Sequence, residues 1–333
     1  MVVILRKHAP PEAARLLPGA DGFAYIDLQW MRRANILGEL PPVQHDPDYE
    51  QFIQATGFNF ESDLEQAAVA IHYPNEGISA GLEGARFSYV FVAKIDGERL
   101  RNYLTKVAGS VEDYHSVEIY SIPLEGRTLR LAILGVDTVA ASNHSDPQVI
   151  EGIVDRSRKL ASPFGGPLLL RQYYKEVPLA SLAWAIFRVQ PSNGFFATPP
   201  GQMSWSFLFP RPAVVVGSIR YLRALHFRAE AFAGTQDDAQ KIAENLGTFL
   251  NLFHVAESSV SAPGPDPDVK AFFDSLKVEH EKQRAIVTAT APTALMRKLL
   301  EESPTMEIPQ PAPAPTPTPA QKPRAGGEKR KRK

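Results

Sequence analysis

The sequence predicts an α+β fold in which antiparallel sheets are flanked by helices. Short β-branched and aromatic segments are separated by turn residues, and three Asp-Pro pairs mark helix starts among them. Hydrophobic residues make up 44% of the chain and charged residues 22%, a balance typical of a folded protein. At 333 residues the chain is longer than most single hydrophobic cores, so two packed units are expected.

Three helices are predicted to begin at Asp-Pro pairs, at Asp46, Asp146 and Asp266. The Asp side chain can accept hydrogen bonds from free N–H groups of the first turn, and Pro at the first helical position gives up a donor that has no partner there. After Asp146, apolar residues recur with helical spacing over residues 147–160. A fourth helix opens at Thr235, where the same spacing continues.

Strands are predicted where β-branched and aromatic residues alternate with period two. Proline and glycine near Pro123 and the Lys282-Gln283 pair predict hairpin turns between them. The predicted strands span residues 23–28, 67–73, 87–95, 117–122, 128–134, 139–142, 182–189, 213–221, 224–233, 277–281 and 284–291.

The order of elements is repeated along the chain. Residues 67–106 and 213–250 each read as strand, strand, helix, and a hairpin follows each of them. This order favours an internal duplication of one α+β unit, although a meandering fold can repeat an order by chance. The two units could stand in tandem or be fused into one body. The predicted organisation is an N-terminal unit over 1–161, a linking helical segment over 162–178, a C-terminal unit over 179–302 and a disordered tail over 303–333.

The C-terminal tail differs from the rest of the chain in composition. Proline alternates there with small or polar residues, which offer no apolar surface to offset the entropy cost of ordering. Seven of the 36 Lys and Arg and two of the 37 Asp and Glu lie in residues 306–333, so this stretch carries +5 and the rest of the chain −6. A weak polyanion contact through the tail is therefore predicted, with simple solvation as the alternative. The terminal cations are Lys329, Arg330, Lys331, Arg332 and Lys333.

Several chemistries and locations are disfavoured by composition. The absence of cysteine excludes disulfides, thiolate metal sites and thiol nucleophiles. No segment reaches the roughly 18 apolar residues of a membrane span. Only the four apolar residues 2–5 precede Arg6 and Lys7, too few for a secretory signal, so a cytoplasmic location is predicted. The alternative is the cell envelope, if the true start lies upstream with an export signal.

Three stretches carry a resemblance to a known family: LLPGADGFAYIDL at 16–28, ATGFNFESDLEQAAVAIHYP at 55–74 and KLASPFGGPLLLRQYYKEVPLASLAW at 159–184. They resemble an uncharacterised bacterial family, a domain of unknown function whose members often carry an export or lipoprotein signal. The resemblance covers most of residues 12–302. It implies an association with the cell envelope and brings no activity, cofactor or catalytic residue.

Short catalytic motifs are missing from the sequence. It contains no phosphate-binding loop, no GxGxxG, no HExxH and no GxSxG, which lowers the expectation of an enzyme and predicts no cofactor. His45 beside Asp46 and His144 near Asp146 bring imidazole and carboxylate close in sequence. Because both aspartates are predicted helix caps, capping turns are favoured over a metal site or a general base, and no metal is predicted.

A basic stretch before a Gly-Gly loop is a candidate anion site. Arg156 and Lys159 precede Gly165 and Gly166, whose backbone N–H groups could receive an anion, and Arg171 could add a forked donor. The alternative is that the glycines end one helix and that the cations complement its dipole. An enzyme with dispersed polar residues near 156–171 is one functional hypothesis.

Aromatic residues concentrate in the middle third of the chain, among them Tyr173, Tyr174, Trp184 and Trp205. They could form a partner or ligand surface, and the alternative is packing inside the core. The leading hypothesis is a non-enzymatic binding or scaffold protein that uses this aromatic region for a protein partner or an apolar ligand. The other alternative is a polyanion-associated protein that acts through its tail.

Overall fold

A computed structural model describes residues 9–36, 45–73, 84–124, 126–159, 166–189, 208–260, 267–295 and 298. Strands within these ranges form one antiparallel sheet with helices packed on both faces, which confirms the predicted α+β class. The strands are β1 (Gly22–Asp27), β2 (Leu64–His72), β3 (Arg86–Ala93), β4 (Ser110–Tyr114), β5 (Val117–Leu124), β6 (Arg127–Ile133), β7 (Thr138–Ser142), β8 (Ser181–Val189), β9 (Ala213–Tyr221), β10 (Leu225–Phe232), β11 (Lys277–Glu281) and β12 (Arg284–Ala291).

The sheet is continuous from one end of the described body to the other. Its strand order is β11-β12-β10-β9-β8-β1-β2-β3-β7-β6-β5-β4. Strands β1 and β8 pair antiparallel at the centre, with Ala24 opposite Ala185, so strands from both halves of the chain share one sheet. The sheet belongs to one unit, residues 1–301, and the predicted tail over 303–333 lies outside the described residues. A division of this unit into two related parts stays a prediction.

At two of the three predicted Asp-Pro helix starts the Asp side chain accepts a hydrogen bond from the first turn, and the third, at Asp266, lies outside the described residues. The carboxylate Oδ1 of Asp46 accepts a hydrogen bond from the Tyr49 backbone N–H at 2.8 Å. At Asp146 the corresponding bond comes from Gln148 N at 2.9 Å. That helix ends at Ser157, before the predicted residue 160, where the backbone leaves helical geometry. The helices are α1 (Glu12–Leu16), α2 (Leu28–Arg33), α3 (Pro47–Thr56), α4 (Phe60–Asp63), α5 (Gly97–Val107), α6 (Gln148–Ser157), α7 (Leu168–Tyr173), α8 (Gln236–Val260) and α9 (Pro267–Ser275).

Strand register sorts the side chains onto two faces. Residues directly opposite each other in antiparallel strands point to the same face. We call the face that carries Ala24 the groove face, and the face that carries Tyr25 and Trp184 the core face. One row of paired residues on the groove face crosses all twelve strands: Val111, Tyr120, Leu131, Ala141, Tyr89, Val69, Ala24, Ala185, Gly217, Ala229, Val287 and Val278.

The largest hydrophobic core lies on the core face. Phe23 and Ile186 of the sheet belong to the same buried cluster as Ile153 of α6 and Leu170 of α7. Each is at most 1% exposed, and burying a side chain of this size contributes about 1.5–3 kcal/mol. This core fixes the central strands β1 and β8, whose opposite faces build part of the candidate site.

Helices also pack on the groove face, towards the two ends of the sheet. On one side Leu100 and Leu104 of α5 pack with Tyr120 and Val139. On the other side Ile242 of α8 belongs to a cluster with residues of β10 and β12. The groove-face side chains of the central strands β1, β8 and β9, between these two packed regions, are only partly buried.

Candidate functional site

An apolar groove of about 380 Å³ lies on the groove face, across β1, β8, β9, β10 and β12. Its floor is a run of four small residues that are paired directly from strand to strand, Ala24, Ala185, Gly217 and Ala229. Because none of them carries a side chain larger than a methyl group, the sheet surface is depressed along this run.

Larger residues line the groove beside this floor. In the neighbouring row, Ile219 of β9 is paired with Phe227 of β10. A Cβ atom built on Gly217 would meet nothing within 4 Å, so the space above this glycine is open. Glycine is disfavoured inside a strand, since it has no side chain to pack. At Gly217 that missing side chain leaves room that a ligand could fill.

The groove offers apolar surface but no backbone N–H or C=O groups that are free to bind a ligand. Each of its five strands is paired on both sides, so the local N–H and C=O groups are engaged in the sheet ladders. A bound peptide could not add a strand here, because strand addition needs a sheet edge. The groove therefore suits a molecule that needs no backbone hydrogen bonds.

The predicted aromatic residues lie on the opposite face of the sheet. Trp184 is 3% exposed and stacks on Tyr25, with ring centroids 5.7 Å apart. Tyr174 meets Trp184 edge-on at 5.2 Å, and Tyr173 meets Phe232 at 5.3 Å. These contacts belong to core packing, the alternative weighed from the sequence. Trp205 lies outside the described residues, and a partner surface formed by these residues stays a prediction.

The candidate anion stretch is divided by residues outside the described part of the chain, among them Gly165. Arg156 turns inward and its Nε donates to the Leu16 carbonyl at 2.7 Å, while burial lowers the pKa of its guanidinium. Lys159 is exposed and follows α6 with φ near +59°. A Cβ on Gly166 would lie 3.8 Å from Arg171 Cγ, so these two are neighbours. Anion binding here stays a prediction.

A chain of buried polar side chains crosses the strands of the first half, and sequence reasoning missed it. His72 Nε2 lies 3.1 Å from Ser88 Oγ, which lies 3.0 Å from Ser142 Oγ. Burial, reinforced by the nearby His144, lowers the pKa of His72 to about 4, so its imidazole is neutral. Ser88 is 0% exposed, which leaves no access for a substrate. This network satisfies polar groups inside the sheet and is not a catalytic pair.

His45 is held by two carboxylates that follow it by 5 and 16 residues in the sequence. Its Nδ1 lies 2.9 Å from Glu50 Oε1, and its Nε2 lies 3.1 Å from Glu61 Oε1. The hydrogen bond with Glu50, followed by that with Glu61, raises the pKa of His45. The same Glu61 accepts a hydrogen bond from the Tyr49 hydroxyl. Among the described residues, no group of three or more potential ligands could hold a metal ion.

A larger cleft of about 900 Å³ lies between α5 and the β4–β5 hairpin. Two of its charged groups are paired: Arg101 Nε lies 3.2 Å from Glu118 Oε2, which also accepts a hydrogen bond from the Tyr120 hydroxyl. The cleft is also lined by Glu98, Asp113 and Arg158. Because charges of both signs line it, this cleft selects no class of ligand.

No protein-family model matches the chain, and no curated protein matches it. Solved crystal forms of TP0453 are similar to it. Form I is 10% identical, covers 88% of this chain and 98% of that chain, and has a TM-score of 0.43. Form III is 10% identical, covers 88% of this chain and 97% of that chain, and has a TM-score of 0.42. Because both TM-scores lie below 0.5, these likenesses support no statement about the site. The resemblance to a bacterial family stays an expectation.

None of the helices in the described ranges combines the length and the apolar composition that crossing a bilayer demands. The compartment therefore stays an expectation from the sequence.

Proposed function

We propose that this chain is a non-enzymatic binding protein whose groove accommodates a small uncharged apolar molecule. The observation that supports this most strongly is the apolar depression over Gly217, where about 380 Å³ of space lies above small side chains. Ligand pockets have volumes of about 300–1,000 Å³ and mainly apolar walls.

The chemistry of the lining favours an apolar small molecule over a peptide. A peptide bound in the groove would lose water from its own backbone without gaining partners in the sheet, at a cost of about 1–3 kcal/mol for each unsatisfied group. An aliphatic or aromatic molecule has no such groups to desolvate. Burying about 250 Å² of its apolar surface would contribute about 6 kcal/mol before the costs of association.

An uncharged fluorescent probe, N-phenyl-1-naphthylamine, tests this proposal. We expect saturable fluorescence enhancement with a Kd of the order of 1–100 μM, and displacement by 1-alkanols that strengthens with chain length. Gly217→Leu should weaken probe binding at least about tenfold, because the new side chain fills the open space while the sheet can accept it.

The matched control is Gly19→Leu, since Gly19 lies in an exposed loop and a Cβ atom built on it would also meet nothing within 4 Å. This variant should bind the probe as the parent chain does. Equal probe binding by the parent and by a folded Gly217→Leu variant would contradict the proposal.

A contact of the tail with polyanions is a separate proposal, supported by the split between +5 in residues 306–333 and −6 in the rest of the chain. Deleting residues 326–333 should abolish retention on heparin at low salt without changing the melting temperature. Undiminished retention of the truncated chain would contradict it.

A further inference from the structure

A further cavity lies on the core face of the sheet and has a volume of about 490 Å³. Its floor is a row of directly paired residues, Gln66 of β2, Val92 of β3 and Thr138 of β7. Helix α1 and the loop between β6 and β7 form its walls. Because the groove is built on the opposite face, the two spaces are separate.

The charged residues that line this cavity are all acidic. Glu12 of α1 and Asp137 of the β6–β7 loop contribute carboxylates, and no described Lys, Arg or His lines it. Arg156 reaches the Leu16 carbonyl from α6 but is not part of the lining. In the described part of the chain, neither carboxylate is held in an ion pair. Since a cleft lined by one sign of charge attracts ions of the opposite sign, the cavity favours a cation.

A buried hydroxyl without a described partner borders the cavity. Tyr25 is 6% exposed, and its hydroxyl forms no hydrogen bond with any described residue, yet its oxygen keeps accessible surface. On the β8 side, Trp184 stacks on the ring at 5.7 Å. On the β2 side, the residue opposite is Ala68, which carries only a methyl group. The Tyr25 side chain is therefore open towards the cavity that it lines.

The adjoining space carries the same sign of charge. A cavity of about 220 Å³ shares Pro11 and Tyr25 with the larger one, and Asp27 is the one charged residue among its described lining. Burial, followed by the proximity of Asp27 and Tyr174, raises the pKa of the Tyr25 hydroxyl, which is therefore neutral at physiological pH. A neutral phenol oxygen can accept a hydrogen bond from a cationic donor.

The remaining lining favours an organic cation over a metal ion. Within the described ranges, no group of three or more potential ligands could hold a metal ion. Apolar side chains face the same space, those of Leu16, Val92 and Leu134, and they pack against the largest core. Such a wall suits a short hydrocarbon chain beside the charged group.

We propose that this cavity is a second binding site, for a primary alkylammonium ion. The ammonium N–H groups donate to the carboxylates of Glu12 and Asp137 and to the Tyr25 hydroxyl oxygen. The hydrocarbon chain packs on Leu16 and Leu134. An ammonium group has three donors, which matches these three acceptors.

Butylammonium is a suitable probe, followed in the full chain by NMR of the Gln66 and Thr138 backbone N–H groups. We expect saturable shifts at both positions, with a Kd of the order of 1–10 mM at low salt. Raising the ionic strength from about 0.02 M to about 0.3 M should raise this Kd at least about threefold, because salt screens the carboxylates. Uncharged 1-butanol and anionic butyrate should give no saturable shift at these positions.

Glu12→Gln and Asp137→Asn should each raise the Kd about three- to tenfold, because each removes a charged acceptor from a partly solvated site. Tyr25→Phe should raise it about threefold and keep the parent melting temperature within a few degrees, because the lost hydroxyl has no described partner. Glu112→Gln is the matched control, since it removes an exposed carboxylate on β4, and it should leave the Kd unchanged.

Three outcomes would each overturn the proposal. The first is the absence of a saturable shift, and the second is an equal response to 1-butanol or butyrate. The third is a Kd that changes no more in Glu12→Gln and Asp137→Asn than in Glu112→Gln, which would assign binding to the overall charge of the protein.

Discussion

The two halves of the sheet begin with the same strand order outward from the β1–β8 pair. One half runs β1-β2-β3-β7-β6-β5-β4 and the other β8-β9-β10-β12-β11, so the first half extends two strands further. In each half a helix follows the third strand, α5 after β3 and α8 after β10. This agreement is the pattern that a duplication requires, and duplication itself stays a prediction that superposition of the two halves in a crystal structure would test.

The halves differ in the size of the side chains that they place on the groove face. On β3, Phe87, Tyr89 and Phe91 form a ladder of stacked rings, with centroids 6.1 and 5.6 Å apart. On β10, the third strand of the other half, the same groove-face row carries Ala229 where β3 carries Tyr89. With the same topology, aromatic side chains cover the sheet on one side and small ones open a groove on the other.

The halves also bury polar groups by different means. The first half uses a neutral chain of His72, Ser88 and Ser142. The second half buries Glu230, which accepts from Arg228 Nε at 2.7 Å and from Arg284 Nη1 at 3.3 Å. The stability of the first half should fall in acid, because protonation would place a charge on the buried His72. The stability of the second half should fall when one partner of its ion pairs is removed, because the other charge is then left unpaired.

Tyr89→Ala should have the largest effect on stability, because it removes the middle ring of the aromatic ladder. We expect the free energy of unfolding to fall by about 2–4 kcal/mol in urea titrations. Tyr89→Phe keeps the ring and should cost less than about 1 kcal/mol. A loss of similar size in both variants would show that the ladder does not stabilise the first half through ring packing.

Acid should destabilise the first half through His72. Its pKa is near 6.5 in the unfolded chain and about 4 in the folded one, so the unfolded state binds more protons between these values. Neutral His72 therefore makes its full contribution to the free energy of unfolding above pH 6.5. About 2–3 kcal/mol of that free energy should be lost as the pH falls to 4.

His72→Asn should therefore show a shallower loss of stability between pH 6.5 and 4 than the parent chain in parallel urea titrations. His280→Asn is the control, because His280 is exposed on β11. Identical pH profiles for His72→Asn and the parent chain would refute the assignment of a neutral, buried imidazole.

Removing the buried carboxylate should destabilise the second half. Glu230 is 5% exposed, while its two arginine partners are only partly buried and can be solvated. We expect Glu230→Gln to cost about 1–3 kcal/mol, below the usual loss for a fully buried pair. Glu279→Gln on the exposed face of β11 should cost less than about 0.5 kcal/mol. Equal losses in the two variants would contradict a structural role for these ion pairs.

The sequence predicted the regular elements better than the site. Period-two apolar segments located eleven strands, but β4 was missed, because Ser110–Tyr114 is an edge strand in which Glu112 and Asp113 interrupt the apolar alternation. Helix α2 was also missed, since it follows β1 without a turn residue. Both are local features without a strong compositional signal.

The groove could not be predicted because it exists only in the register of the folded sheet. Ala24, Ala185, Gly217 and Ala229 are distant in sequence, and each is an ordinary small residue in its own strand. The aromatic residues gave a stronger signal, yet Trp184 is drawn into the core face, where a large apolar ring is best buried. A small residue inside a strand is the signal that sequence reasoning overlooked.

The most direct test of this account transfers the aromatic residue of one half to the other. Ala229→Tyr places at β10 the residue type that β3 carries in the same row, and it should fill the groove without unfolding the chain. We predict that this variant keeps the parent melting temperature within a few degrees. Its Kd for N-phenyl-1-naphthylamine should rise by about tenfold or more. A folded Ala229→Tyr variant that binds the probe as tightly as the parent chain would contradict the claim that small side chains in the second half create a binding groove.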